Sequence, residues 1–129
     1  MDARDDKRNG ATDEVGEWER RRGMPTLSGS ERQVAWARVI RHRLGIEIAS
    51  RLSRAADAFG DPKVRRYVDS QVRDVFRELA RQRSASWFIS RKDEAALDVA
   101  DRLLRAATER REMRGLKPAR AKAEGKGVR

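Results

Sequence analysis

Apolar residues recur every three or four positions from Trp36 through Ile40, Leu44, Ile48, Leu52 and Ala55 to Phe59, the spacing of one helical face. Ser28 and Ser30 precede this stripe and either can accept from the free amides of a first turn. Glu31 suits the positive end of the dipole, so the helix is expected to begin near Glu31. Gly45 interrupts the stripe at a cost of about 1 kcal/mol relative to Ala. One long helix is expected, with a break into two at Gly45 as the alternative.

Gly60-Asp61-Pro62 then reads as a stop and a restart: Gly for the left-handed position after a helix, Asp as a cap, and Pro for the first helical position. Val64, Val68, Val72, Val75, Phe76 and Leu79 mark the buried side of a second helix as far as about Arg83. Ser84-Ala85-Ser86 signals a cap for a short helix carrying the apolar knot Trp87-Phe88-Ile89 and ending near Arg91. Asp93 is expected to cap a last helix with Leu97, Ala100, Leu103, Leu104 and Ala107 facing inward and Gly115 ending it. No strand alternation, heptad array or internal repeat competes with these helices.

The two ends differ from this middle. Residues 1–23 hold seven acids and six bases, with Val15 and Trp18 as the sizeable apolar groups after the initiator, which predicts a segment too polar to order itself. Residues 115–129 carry five bases and one acid and read as a flexible basic tail. The expected organisation is a disordered segment over residues 1–26, a helical domain over 27–114 and the tail.

Charge changes the picture next. The 129 residues carry 31 Lys+Arg against 21 Asp+Glu, a formal +10, with a mean hydropathy of -0.89. A polyanion is therefore the first partner to consider. Only six of the bases are Lys, and so strong an Arg bias also follows from a GC-rich genome, so position matters more than total. On the second helix Lys63, Arg66, Arg73, Arg77 and Arg81 fall within about 80° of arc opposite Val68, Val75 and Leu79. No acid lies inside that band; Asp69, Asp74 and Glu78 flank it. An Arg-rich solvent face and a phosphate-binding stripe read almost equally well here.

Other chemistry is sparse. With no Cys there is no disulfide, thiolate nucleophile or Cys-based zinc site. His42 is the single histidine and reads as a surface residue beside Arg41 and Arg43. The glycines form no phosphate-cradling or dinucleotide pattern. No carboxylate pair is isolated among apolar neighbours as acid/base catalysis would require. No catalytic residue, metal ligand, cofactor or small-molecule substrate is expected, nor a membrane span or signal peptide, and the expected location is the cytoplasm. Arg41 is the exception on the first helix: it falls among Ile40, Leu44 and Ile48, where it is expected to snorkel or to pair with a carboxylate of another helix.

The segment Leu27-Ser28-Gly29-Ser30-Glu31-Arg32-Gln33-Val34-Ala35-Trp36-Ala37-Arg38-Val39-Ile40-Arg41 resembles the opening G-S-E-K-Q-I-x-W-A-x-x-I-R of small uncharacterised bacterial proteins that travel with plasmids, phages and other mobile elements. Ser86-Trp87-Phe88-Ile89-Ser90-Arg91 is similar to the W-W-I-D-x-R that closes the same pattern. A looser similarity links the opening to segments appended to DNA-processing enzymes such as topoisomerases. The chain has Ser90 where the pattern has Asp, which leaves any pairing of that Asp with Arg41 or Arg91 without its carboxylate. The resemblance implies structural roles for Gln33, Trp36, Ile40, Arg41, Trp87 and Ile89, and DNA as a neighbour.

Together these readings predict an all-α bundle of three main helices plus one short helix, packed around Trp36, Ile40, Leu44, Val68, Val75, Leu79, Trp87, Ile89, Leu97 and Leu104. Trp36 and Trp87 are expected to be buried near each other. The expected function is a non-enzymatic nucleic-acid-binding accessory protein, with DNA the expected ligand, held through Lys63, Arg66, Arg73, Arg77, Arg81 and the tail without base readout. The alternative is a protein-interaction module that modulates a host or mobile-element enzyme, its disordered N-terminus folding around Trp18 on a partner.

Overall fold

The structure is a computed structural model that describes the backbone of residues 3–127 and the side chains of residues 13–115. Among the described residues five helices follow one another: α1 (Ala3–Arg22), α2 (Glu31–Phe59), α3 (Pro62–Arg81), α4 (Ala85–Ile89) and α5 (Ala96–Gly127). The protein is all-α. Helix α2 is the axis: α1, α3, α4 and α5 all pack against it, and α3 also packs against α5.

The local signals explain most boundaries. Ser30 closes a capping box, its Oγ accepting from the Gln33 amide at 3.2 Å while Gln33 Oε1 accepts from the Ser30 amide at 3.0 Å. Gly60 takes the left-handed conformation, φ 66°, that ends α2, and Asp61 Oδ1 accepts from the Lys63 amide at 2.9 Å before Pro62 starts α3. Ser84 precedes α4 but does not cap it, because its hydroxyl pairs with that of Ser86 at 2.8 Å. A backbone bridge joins the approaches to α2 and α4: the Ser28 amide donates to Arg83 O at 2.7 Å and the Ala85 amide to Ser28 O at 2.9 Å.

The largest correction concerns the N-terminus. The expected disorder over residues 1–26 does not hold for the part whose side chains are described, because Val15 and Trp18 are buried. The composition undercounts what this segment can bury, since its partners lie on another element. Trp18, 8% exposed, sets its indole against Gly45 of α2, edge-on to His42 at 5.4 Å and to Phe76 of α3 at 6.1 Å. A Cβ at position 45 would collide with Cζ2 of that indole and lie 2.9 Å from its Cη2. Gly45 is thus the notch into which α1 docks, and α2 continues through it unbroken.

Docking of α1 also turns the buried face of α2. That face consists of Ala37, Ile40, Arg41, Leu44, Gly45, Ile48 and Ala56, about one position round from the stripe through Trp36, Ala55 and Phe59. Trp36 is accordingly 47% exposed, not a core residue beside Trp87. The same offset occurs on α5, where Ala96, Val99, Ala100, Leu103 and Ala107 face inward and Leu97 is exposed. Small alanines there give the close approach that a leucine row would block. The helix starts at Ala96, not after an Asp93 cap, because residues 90–93 form a turn and the chain bends again at Glu94. Arg91 holds that turn, stacked on Trp87 at 4.0 Å and donating to Trp87 O at 2.8 Å, and Arg43 donates to Lys92 O at 3.0 Å.

Helix α3 buries Val68, Val75, Phe76 and Leu79 as its pattern predicts, and also Glu78. The inner shell of the core is Leu44, Ile48, Val75, Leu79, Ala85, Phe88 and Val99, with Trp87, Ile89 and Leu104 partly buried around it. Gly115 keeps a helical conformation and does not end α5, whose backbone runs to Gly127. The expected basic tail of residues 115–129 lies, as to its side chains after Gly115, outside the described residues. Among the described residues no helix is long and apolar enough to cross a membrane.

Candidate nucleic-acid interface

The α3 band is built by the helix's own amphipathicity. With Val68, Val75 and Leu79 turned inward, Lys63, Arg66, Arg73, Arg77 and Arg81 are all carried on the outside, and all five are exposed. Four of them, Lys63, Arg66, Arg73 and Arg77, have no carboxylate within salt-bridge distance among the described residues. Arg81 is the fifth, with its Nε 3.3 Å from Glu78 Oε2.

The tertiary structure widens this band on both sides. Helix α1 ends at Arg20-Arg21-Arg22, where cations suit the dipole, and Gly23 turns the chain away with φ 66°. That turn sets Arg22 over the Phe76 ring at 4.4 Å, beside α3. The result is an open concavity of about 780 Å³ floored by Phe76 and Ala80 and walled by Arg21, Arg22, Arg73, Arg77, Arg81, Arg83 and Arg110. On the other flank Arg111 and Arg114 of α5 face Ser70, Arg73, Asp74, Arg77 and Arg81 across a second concavity of about 370 Å³. Arg73 and Arg77 form the ridge between the two grooves and line both.

Two carboxylates hold the surrounding guanidiniums in place. Glu78, 3% exposed, accepts from Arg110 Nε at 2.9 and 3.0 Å as well as pairing with Arg81. Asp74 pairs with Arg111. They fix α5 against α3 and leave Arg73 and Arg77 as the uncompensated charges at the centre. The larger concavity, whose charged lining is all arginine, focuses its field and raises the local concentration of anions. Arg21 is partly neutralised by Glu17, at 2.7 Å.

The sequence reading brought together the α3 residues but missed Arg22, Arg83, Arg110, Arg111 and Arg114. The run Arg20-Arg21-Arg22 before Gly23 was a usable signal once α1 was recognised as a helix. Nothing local marked the α5 residues, because Glu109 and Glu112 alternate with them and only the Glu78 and Asp74 pairings reveal which way they face.

The remaining candidates take structural places. Arg41, 1% exposed, donates through Nη2 to Glu19 Oε2 at 2.6 Å and through Nη1 to Pro25 O at 2.9 Å, so it pairs with a carboxylate of another helix. Arg38 shares that carboxylate, its Nη2 2.7 Å from Glu19 Oε1. Burial pushes the Glu19 carboxyl upward, but the hydrogen bonds and charges of Arg38 and Arg41 outweigh it and hold the group below the ordinary glutamate value. Burial lowers the Arg41 guanidinium in turn, though arginine keeps its charge throughout the working pH range. His42 is half-buried against Trp18, and no cluster of three metal-ligating side chains exists among the described residues.

Comparison with protein families, with curated proteins and with solved structures finds no match for the chain.

Proposed function

We propose that the protein is a non-enzymatic nucleic-acid-binding accessory protein that grips phosphates along α3 without reading base edges. The observation that carries this is the convergence of guanidiniums from α1, α3 and α5 on the ridge of Arg73 and Arg77, which have no acidic partner among the described residues. From Lys63 to Arg81 the stripe spans roughly 27 Å at 1.5 Å per residue, enough to follow several phosphates. Guanidinium forks suit phosphate oxygens, and these side chains are strung along one helix face as a track for a backbone. The likeness of the two end motifs to mobile-element proteins makes DNA the expected ligand. The test is binding of labelled DNA of unrelated sequences across a salt series, with Arg73→Gln/Arg77→Gln beside the parent. Sequence-independent affinity that falls steeply with salt, and a shallower fall for the double variant, support the reading; no binding at low salt overturns it.

A second reading rests on a separate observation. The protein-interaction module built on a disordered segment around Trp18 loses its handle, because Trp18 is buried against Gly45. Its support passes to Trp36, Val39 and Ile46, which are exposed at helical spacing along α2.

A further inference from the structure

One large side chain of α3 does not fit a surface made only for phosphates. Tyr67 is 65% exposed, whereas Val68, Val75, Phe76 and Leu79 of the same helix are buried. It borders the basic band: Lys63 lies one turn before it and about 40° round the helix, and Arg66 and Ser70 adjoin it. The ring is also oriented. Gln71, one turn further on, donates from Nε2 to the Tyr67 hydroxyl at 3.3 Å, which lays the side chain along the helix surface. A second large aromatic, Phe59, is 74% exposed at the last position of α2, at the same end of the α2–α3 hairpin.

We infer that the basic face of α3 takes single-stranded nucleic acid, with a base stacked on Tyr67 and the backbone running from Lys63 along Arg66, Arg73 and Arg77; this rests on the nucleic-acid reading above. The reason is the chemistry of the two ligands. A duplex offers its phosphates but hides the faces of its bases, so it gains from the arginines and nothing from an exposed phenol ring. A single strand offers phosphates and open base faces together, and an aromatic ring beside a cationic track satisfies both without selecting a sequence.

The test compares a labelled oligo(dT) with a blunt duplex of equal length at low salt, for the parent, Tyr67→Ser, Tyr67→Phe and the Arg73→Gln/Arg77→Gln variant. Tyr67→Ser is expected to lower the ratio of oligo(dT) to duplex affinity at least about fivefold, with Tyr67→Phe restoring it. Because Tyr67 is the single tyrosine, labelling with 3-fluorotyrosine gives one fluorine resonance, which should shift on saturation with oligo(dT) and stay in place with duplex. Equal binding of duplex and oligo(dT) by the parent, an unchanged ratio in Tyr67→Ser, or an unmoved fluorine resonance at saturation overturns the single-strand inference. The nucleic-acid reading survives those results if the arginine variant still loses affinity. Failure of both ligands to bind the parent removes the two together.

Discussion

The indole of Trp18 fills the space that any side chain at position 45 would occupy, so a glycine in the middle of α2 and a tryptophan in α1 form one joint. Gly45→Ala is therefore expected to destabilise the protein by about 1–3 kcal/mol through overpacking, even though alanine is the better helix former by about 1 kcal/mol. Chemical denaturation checks the sign. A stabilised Gly45→Ala protein would mean that α1 is not seated on α2.

Glu19 carries the second expectation. Replacing it with Gln leaves Arg41 buried without its counter-charge and should cost about 3–5 kcal/mol. The pH dependence follows from the depressed carboxyl of Glu19. A group whose folded value lies below its unfolded value contributes stability that is complete above the unfolded value, about 4.3, and is lost as pH falls through the folded one. Melting temperatures from neutral to acid pH should therefore drop more steeply for the parent than for Glu19→Gln below about pH 4. Parallel curves would show that this ion cluster adds nothing to folding.

The two aromatic positions of the α2 and α4 motifs should separate. Phe88 is wholly buried and Phe88→Ala is expected to cost about 3–5 kcal/mol. Trp36 is half in water, and Trp36→Ala should stay within roughly 1 kcal/mol of the parent. Denaturant midpoints compare them, and a large loss at Trp36 would return that residue to the core.

On the basic face, about four to six neutralised phosphates of a duplex predict a slope of log K against log salt near -4 to -5. Arg73→Gln/Arg77→Gln should flatten it by about two units. Arg102→Gln/Arg105→Gln serves as the control, because Arg102 pairs with Glu94 at 3.1 Å and Arg105 with Asp101 at 3.0 Å. Equal slopes for the two double variants would reduce the ridge to a solvated face and favour a protein partner at Trp36, Val39 and Ile46.

Capping and turn chemistry made α2 and α3 legible, because Ser30, Gln33, Gly60, Asp61 and Pro62 act on their immediate neighbours. Helix α1 was not legible for the opposite reason. Val15 and Trp18 look too few to order a segment until Gly45 and Phe76, far along the chain, supply the other half of the contact. The misplacement of Trp36 follows from that omission, since a helix covered from one more side buries a different arc. The candidate site was readable where one helix carried it, at Lys63, Arg66, Arg73, Arg77 and Arg81. It was hidden where tertiary packing supplied Arg22, Arg83 and Arg110.

The backbone bridge between Ser28 and the strand of chain at Arg83–Ala85 makes a clasp at the base of the α2–α3 hairpin. Everything between those residues is a closed loop whose free end is the turn at Gly60. The hairpin can then fray from Gly60 inward, as a zipper opens from its top, while its base stays fastened. In hydrogen–deuterium exchange the Ser28 and Ala85 amides should open only with the whole molecule, and those next to Gly60 far sooner. Lys63 and Tyr67 stand on that loosening end while Arg77 and Arg81 stand near the clasp, so a ligand running the length of α3 would slow exchange most at the hairpin's tip.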